Sequence, residues 1–370
     1  MIWPFCPRVP MLEGISFRTD VLRAFSTEQR IRLTDIPRRS FDHNYVLDGR
    51  ELELARNLIR ATQPGPLEVP DWAFAREVSA DSGDTVLTFD NTYPELTGAA
   101  VIVQDAYTAE VVQIASGDET GVTLTAPLAF DYPTGVIAPL LSCDALDGLS
   151  IGRRPGPTVQ GSATFTAYAG TDLADDLLPT YEGDPIIVQC NRISDLAETT
   201  QRAFDSVDNG IARPFNDSTL SEATQTSGFA WEPASRLERW EARQTVYALK
   251  GRQKAFWLPL MNRGIQLASS APMGAGSITI RYVAYSLGWD VGHLFAKYAD
   301  GSWMAFEVTA STPSTETESL TLAVPLAQSL NDAQMICVLV RMRQASDRLE
   351  WLHRGNAPPR IVFAAQEVPV

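Results

Sequence analysis

Large side chains alternate with smaller or polar ones from Phe41 to Leu47, with the large residues at 41, 43, 45 and 47. A period of two is typical of a half-buried β-strand. The stretch Arg30–Asp35 alternates too, and Pro37 with the arginines after it separates the two runs. We therefore predict two strands that form a hairpin or an adjacent antiparallel pair.

A helical period follows at Arg50–Arg60, where apolar residues occupy positions 52, 55, 58 and 59 between good helix formers. This pattern predicts one amphipathic helix of about three turns. The helix must end before Pro64–Pro66, because proline cannot continue it. The chain resumes as the extended segment Leu67–Trp72.

The same order of features recurs in the second half of the chain. The successive features are a strand, a helix, a glycine stop and a proline- and tryptophan-containing strand, at Phe229–Trp231, Leu237–Leu249, Gly251 and Ala255–Pro259. Within the two helices, the pattern Ala-Arg-x-x-(Ile/Val)-x-Ala occurs at residues 55–61 and 242–248. Such self-similarity is typical of an internal repeat.

Short β-rich segments separated by glycine and polar turns come next in both halves. In the first half they are Thr85–Phe89, Ala100–Val103, Glu110–Ile114, Val122–Leu128 and the final strand Ser162–Ala167. In the second half they are Ser277–Ile280, Ala305–Thr309, Leu320–Leu326 and the final strand Arg360–Ala365. The hexamer T-L-x-x-P-L occurs in both halves, at residues 123–128 and 321–326.

These patterns predict a mainly β protein with a few helices, built as a tandem internal duplication. Each copy is a β-sandwich or small β-barrel module with one amphipathic helix. We predict a first β-sandwich plus small β module over 1–170, a connector over 171–227 with an edge strand at Pro185–Gln189, and a second copy over 228–370. The connector carries an acidic patch at positions 172, 175 and 176. Chance similarity between two β-rich stretches is the alternative.

Composition limits the classes of protein that this can be. The chain has 370 residues, of which 45% are hydrophobic and 20% charged, which is enough to fill packed cores. No apolar run approaches the ~18 residues that span a bilayer, so we expect no membrane insertion. The N-terminus lacks the pattern of a secretory signal. The net charge of −15 argues against tight non-specific binding to nucleic acid.

Most of the basic residues are arginines, since only three of the 30 are lysines. Arginine suits buried or interfacial ion pairs, although a GC-rich coding sequence gives the same bias. On the helices, Arg56 and Arg243 occupy matching positions. Both are candidates for equivalent interface contacts, or they lie on a solvated helix face.

Catalytic machinery, cofactor sites and metal sites are not predicted. The three histidines, His43, His293 and His353, form no zinc-binding motif. His43 falls on the apolar face of a strand, where we expect a hydrogen-bonded, partly buried histidine instead of a ligand. We predict no nucleophile elbow, and the sequence has no Walker loop. The cysteines are far apart and are expected to be reduced and buried; they are Cys6, Cys143, Cys190 and Cys337.

Carboxylates and tryptophans leave two questions open. A glycosidase needs only two carboxylates on facing strands, so the sequence does not exclude one. The segments 81–84 and 116–119 resemble parts of calcium loops, but their spacing favours polar turns. Exposed tryptophans can bind sugars or anchor an interface. Because Trp72 and Trp257 each lie beside a proline, Pro70 and Pro259, we predict that these four residues are structural anchors.

Part of the chain resembles a known family. The stretch Phe17–Leu33, the alternating strand, the helix and Val69–Trp72 together resemble the N-terminal part of minor tail proteins of long-tailed bacteriophages. Lys250–Arg252 followed by Phe256–Pro259 is similar to the G-R-x-x-x-F-W-x-P stretch of distal tail and tail-tip proteins. The β segments with T-L-x-x-P-L resemble small accessory modules of phage tails.

The resemblance implies a structural protein of the tail tip or baseplate, located in the virion tail and assembled in the host cytoplasm. It implies no enzymatic activity and no cofactor. The expected partners are other tail proteins: the tail tube, the hub, the tape measure and the fibres. We expect a homo-oligomer, with a trimer of pseudo-sixfold character preferred over a hexamer, and contact with genome DNA only in passage. The alternative functions are a phage carbohydrate-binding or depolymerising protein and a cell-surface adhesion module.

Overall fold

A computed structural model gives the architecture of most of the chain. It describes residues 1–24, 27–61, 66–92, 96–152, 156–168, 170, 173, 178–188, 197–201, 205–207, 210–211, 213, 215–217, 224–288, 292–355 and 357–368. Strands make up 55% and helices 11% of the structure, so the predicted mainly β fold is confirmed. The helices are α1 (Gly49–Ala61), α2 (Arg236–Leu249) and the short α3 (Tyr285–Gly288), with a 3₁₀ turn at Trp72–Phe74.

Strands run through the whole described chain. Those of the first half are β1 (Arg8–Ser16), β2 (Thr19–Ala24), β3 (Thr27–Arg32), β4 (Arg38–Asp48), β5 (Leu67–Pro70), β6 (Arg76–Ala80), β7 (Val86–Thr88), β8 (Ala99–Val103), β9 (Ala109–Asp118), β10 (Gly121–Leu124), β11 (Tyr132–Asp144), β12 (Ser150–Gly152) and β13 (Thr158–Ala167). Those of the second half are β14 (Thr180–Tyr181), β15 (Asp184–Pro185), β16 (Ala197–Gln201), β17 (Asp205–Val207), β18 (Phe215–Asp217), β19 (Thr224–Trp231), β20 (Ala255–Pro259), β21 (Ser277–Arg281), β22 (Gly292–Tyr298), β23 (Trp303–Pro313), β24 (Thr317–Leu322), β25 (Ala333–Gln344), β26 (Arg348–Arg354) and β27 (Ala357–Glu367).

Both predicted helices form where the sequence places them, and each begins with a side-chain cap. At α1, the Asp48 carboxylate accepts hydrogen bonds from the backbone N–H groups of Arg50 and Glu51, both at 2.7 Å. At α2, the Ser235 hydroxyl accepts one from the Glu238 N–H at 3.1 Å. These bonds satisfy backbone donors that the first helical turn leaves without partners.

A single antiparallel sheet connects the two halves. Its strand order is β12-β13-β4-β1-β26-β27-β19-β16. The sheet passes from the first half to the second where β1 pairs with β26. Because β1 also pairs with β4, this one strand carries hydrogen bonds to both halves.

The hairpin predicted between the first two alternating runs does not form. Strand β3 pairs with β2 instead, with Arg30 opposite Val21. Strand β4 lies between β1 and β13, which cover both of its edges. The physical reason is burial: β4 alternates buried and more exposed residues, whereas no residue of β3 is fully buried. The β2–β3 hairpin is therefore an arm outside the first core.

The two halves pair their strands in the same order. The strand before the helix pairs with the last strand of its half, as β4 does with β13 and β19 does with β27. The strand after the helix pairs with the long strand, as β5 does with β11 and β20 does with β25. The small β units share four strand pairs in matching order. The first half has β7–β10, β8–β9, β9–β10 and β8–β11. The second half has β21–β24, β22–β23, β23–β24 and β22–β25.

The hexamers T-L-x-x-P-L take corresponding places in the small β units. Each ends in a buried leucine, Leu128 or Leu326, both 3% exposed. Their N–H groups donate at 3.0 Å to the backbone carbonyls of Asp84 and Ala275 in matching turns. The shared pairing order agrees with the predicted repeat, and tandem duplication itself stays a prediction.

The segment predicted as a connector supplies strands to the second half. Strand β16 pairs with β19, and β17 pairs with β18 as a hairpin. Ile186, in the predicted edge element, bridges Trp257 in parallel, just as Ile2 bridges Glu68. Strand β16 is therefore the counterpart of β1, and the β17–β18 hairpin is the counterpart of the β2–β3 arm. The acidic positions 172, 175 and 176 lie outside the described residues, as does 189 at the end of the edge element.

The hydrophobic cores also divide between the two halves, with one exception. The core beneath α2 contains residues of the second half together with Ile15 and Phe17 from the first. The core beneath α1 contains first-half residues, including Trp3 and Phe165. No helix in the described part of the chain is long and apolar enough to span a membrane.

Candidate interface between the two halves

A buried carboxylate lies at the junction of the two halves. Glu13, in the middle of β1, is 0% exposed. Arg243 of α2 donates to both of its oxygens, with Nη1–Oε1 at 3.0 Å and Nη2–Oε2 at 2.7 Å. Arg39 of β4 donates through Nε to Oε1 at 2.9 Å. His353 of β26 lies with Nε2 2.9 Å from Oε2. The carboxylate thus joins four elements.

A second carboxylate completes this group, which we call the junction network: Glu13, Arg39, Asp71, Arg243 and His353. Arg39 Nη2 donates to Asp71 Oδ2 at 2.6 Å, and both residues are buried. The two arginines and two carboxylates balance in charge. A buried ion is tolerated only when it is paired and hydrogen-bonded in this way.

The protonation states are fixed by the surroundings. Burial raises the pKa of Glu13, but the charges of Arg243 and Arg39 outweigh it and hold that pKa well below its ordinary value. Burial lowers the pKa of Arg39, but the charges of Asp71 and Glu13 outweigh burial and hold that pKa well above its ordinary value. Glu13 is therefore ionised at neutral pH and surrounded by donors, so it is unsuited to act as a general base.

Two aromatic rings contact the Arg243 guanidinium. Its Cζ lies 4.5 Å from the centroid of the Phe74 ring and 4.7 Å from that of Trp351. Trp351 in turn stacks on His353, with an interplanar angle of 5°. Cation–π contacts of this kind are strongest when the cation is desolvated. The network therefore fixes the position of α2 relative to β1.

A small cavity of about 200 Å³ lies beside the junction network. Arginines dominate its polar lining, namely Arg76, Arg236, Arg239 and Arg243, next to Trp240 and Trp351. Arg236 is paired with Asp90 at 2.7 Å, and burial lowers the pKa of Arg239. The cavity lining contains no carboxylate.

The β2–β3 arm makes a second connection between the halves. Glu28 on β3 accepts two hydrogen bonds from Arg343 on β25, at 2.7 and 3.0 Å. Asp347, after β25, accepts from the N–H groups of Thr19 at 2.8 Å and Arg252 at 2.9 Å. Burial raises the pKa of Asp347, but these hydrogen bonds outweigh it and lower that pKa.

The four predicted anchors differ in their positions. Pro70 and Pro259 are buried and correspond, since they lie opposite Leu140 and Leu339 in matching strand pairs. Trp257 is 4% exposed and contacts Tyr181 and His293.

Trp72 is half-buried and lies in the 3₁₀ turn beyond β5. The residue that corresponds to Trp257 is Glu68, two positions before Pro70, because Trp257 is two positions before Pro259. The prolines are therefore matched and the tryptophans are not.

The two arginines predicted at an interface have different environments. Arg243 is 2% exposed and belongs to the junction network, so a solvated helix face is wrong for it. Arg56 is half-buried and pairs with Glu53 on the same helix. Sequence reasoning missed Glu13 and Arg39. The available signal was a glutamate inside Met11–Ile15, an otherwise apolar or small stretch.

His43 has a hydrogen-bonding partner, as expected, and is more deeply buried than the partial burial that the sequence predicted. His43 is 3% exposed, and its Nδ1 lies 3.0 Å from the Tyr45 hydroxyl. Burial lowers the pKa of His43 to about 4. Cys143 and Cys337 are buried, as expected, but Cys6 is exposed.

Cys190 and one of the eight tryptophans, Trp289, lie outside the described part of the chain. The other seven tryptophans are all buried or half-buried; they are Trp3, Trp72, Trp231, Trp240, Trp257, Trp303 and Trp351. Among the described residues, no cluster of three histidine, cysteine or acidic side chains is placed to hold a metal ion. No protein-family model matches the chain, and no curated protein matches it.

Proposed function

We propose that this protein is a structural subunit of a bacteriophage tail tip or baseplate, which assembles into a ring that links the tail tube to the hub or to receptor-binding parts. One observation supports the ring-forming role. The two halves have the same pairing order, and they are joined by the pairing of β1 with β26 and by the ion pairs of the junction network. The tail location rests on the resemblance of the sequence motifs.

The contact between the halves has the form that a ring requires. It is heterologous, since β1 at the start of one half meets β26 near the end of the other. Repetition of a heterologous contact produces a closed ring when the rotation permits closure. Three chains would then place six similar halves around one axis. A hexamer, with the second half on the outside, is the second possibility.

The acidic character supports the same function. With a net charge of −15, an inner wall formed by this protein would repel the phosphates of DNA in passage. The partners in this function are the tail tube, the hub, the tape measure and the fibres.

A carbohydrate-binding or depolymerising phage protein is the competing function. It needs exposed tryptophans beside paired carboxylates in one groove. None of the seven described tryptophans is exposed, and arginines line the cavity at the junction. These observations favour assembly over sugar chemistry.

Electron microscopy of purified particles tests the proposal. Gold-labelled antibodies against this chain should bind at the tail tip, and a reconstruction should contain three chains per ring. Six chains per ring would replace the trimer by the hexamer. Unlabelled particles, together with binding of soluble host glycans, would favour the competing function.

A further inference from the structure

We propose that β16 of one subunit pairs with β12 of the next subunit, in the way that β1 pairs with β26 inside the chain. This inference rests on the ring-forming role proposed above and identifies the surfaces that form the ring. The occupant of both exposed strand edges is a second copy of this chain.

Strand registers establish which residues correspond. The matched leucines are Leu140 in the first half and Leu339 in the second. Four positions beyond Leu140, Asp144 faces Thr166 on β13. Four positions beyond Leu339, Arg343 faces Gln366 on β27. Thr166 therefore corresponds to Gln366, and this pair sets the correspondence between β13 and β27. One position earlier in each last strand are Phe165 and Ala365, which face Phe41 and Ser227.

The same registers extend to the outer strands. Phe41 faces Glu13 on β1, and Ser227 faces Glu198 on β16. Glu198 is therefore the counterpart of Glu13. By the same route, Ile151 on β12, which faces Gly161, is the counterpart of Trp351 on β26, which faces Ile361.

The counterparts differ in the number of their neighbours. In the described structure, β1 lies between β4 and β26, and β26 lies between β1 and β27. By contrast, among the described strands β16 pairs only with β19, and β12 pairs only with β13. All five residues of β16 are exposed. An exposed strand edge is a template for pairing with another chain.

The first core lacks the cover that the second core has. Leu349 and Trp351 on β26 are 5% and 1% exposed, because β1 lies beside them and Ile15 packs into the same core. Their counterparts are Leu149, just before β12, and Ile151 on β12, and both are only half-buried. A strand placed beside β12 would cover them.

The helices show the same difference. Val246 on α2 is 1% exposed, whereas Ile59, at the matching position of α1, is half-buried. Arg243 on α2 binds Glu13 from the neighbouring half. Arg56 is its counterpart on α1. In the subunit contact, Glu198 of one chain would meet Arg56 of the next.

A third feature points in the same direction. The β2–β3 arm lies against the second half, where Glu28 binds Arg343. Its counterpart, the β17–β18 hairpin, carries three highly exposed apolar residues, Val207, Ile211 and Phe215, at 67%, 92% and 68% exposure. A group of exposed apolar residues is typical of an interaction surface. This hairpin would lie against the first half of the next subunit.

The internal pair also predicts the register between subunits. Gly14 faces Glu350, and the counterparts of these two residues are Thr199 and Ser150. Thr199 of one chain should therefore lie directly opposite Ser150 of the next, at a side-chain distance that a short thiol cross-link spans.

Cysteine cross-linking of the full chain tests this register. In a Cys6→Ser, Cys190→Ser background, the Thr199→Cys, Ser150→Cys variant should give covalent oligomers on non-reducing gels after mild oxidation. The matched control is Thr199→Cys with Val324→Cys, because Val324 is 70% exposed on the T-L-x-x-P-L turn and lies outside the proposed strand pair. Ser16→Cys with Arg348→Cys, which face each other inside the chain, should cross-link intramolecularly.

Charge reversal supplies a second measurement. Glu198→Arg and Arg56→Glu should each weaken assembly about tenfold in sedimentation equilibrium, and the double reversal should restore it. Restoration by the double variant is not expected from a purely local effect on either strand or helix.

The outcomes separate this proposal from the tail function. Rings that form without the 199–150 cross-link, or a chain that stays monomeric at high concentration, would overturn the β16–β12 pairing. Cross-linked oligomers of purified protein, combined with particles that do not contain the chain, would support the pairing and refute the tail location.

Discussion

Arg243 and Glu13 form a buried, bidentate ion pair although 230 positions separate them in the chain. The pair connects the helix of the second half to the first strand of the protein. Its counterparts are Arg56, which is half-buried and pairs with Glu53, and Glu198, which lies on the exposed strand β16. The internal pair therefore provides both a stability test and a template for assembly.

Replacement of Arg243 by alanine should lower the free energy of unfolding by about 3–5 kcal/mol, because it leaves the Glu13 carboxylate buried without its main partner. Urea unfolding followed by fluorescence measures the change. Arg56→Ala is the matched control and should cost less than about 1 kcal/mol in the monomer, since its pair with Glu53 is partly solvated. Equal losses in the two variants would contradict the importance of the junction network.

The free energy of unfolding should fall as the pH is lowered from about 6.5 towards 4. In this range the His43 side chain takes up a proton in the unfolded chain. In the folded protein it does not, because its pKa is lowered to about 4. The contribution of His43 is therefore fully present above pH ~6.5, and the loss reaches about 3 kcal/mol. Urea unfolding at several pH values measures it.

The control for this prediction is His43→Phe, which places the residue found at the matching position, Phe229, in the first core. That variant should lose less stability over the same pH range. The depressed pKa of Glu13 also makes stability fall with acid, but only below the ordinary range of a carboxyl group. An identical pH dependence in both proteins would exclude His43 as the cause.

Trp257→Ala should cost about 3–5 kcal/mol, because it removes a buried ring from a contact with Tyr181 and His293. Trp72→Ala should cost less, since Trp72 is half-buried. Thermal unfolding of the two variants compares them. A Trp257 variant that melts like the wild type but no longer binds a tail partner would assign this residue to recognition instead of stability.

Gly251→Ala should destabilise the protein by more than about 1 kcal/mol. The backbone there has φ of 65°, and an added Cβ would lie 2.7 Å from Asp347 Oδ1 and 3.1 Å from Phe17 Cβ. Gly276→Ala is the control, because a Cβ at Gly276 would meet nothing within 4 Å. Chemical unfolding should separate the two variants, and matching curves would show that the close approach at Gly251 is unimportant.

The sequence determined the local elements wherever one periodicity dominated. The period of 3.6 residues predicted α1 and α2, and alternation predicted β4, because burial of one face is a local requirement on side-chain order. The order of these features also indicated that the second half repeats the first. The apolar surroundings of His43 predicted its burial in the same way.

Only the tertiary structure decided which strands pair and where the charges lie. The pairing of β4 with β1 instead of β3, and of β1 with β26, depends on contacts between residues far apart in the chain. The sequence matched Arg56 with Arg243, yet one is half-buried beside Glu53 and the other is buried against Glu13. Their environments differ because β1 covers the second core, whereas the counterpart strand, β16, lies at the opposite end of the sheet from β12 and is exposed.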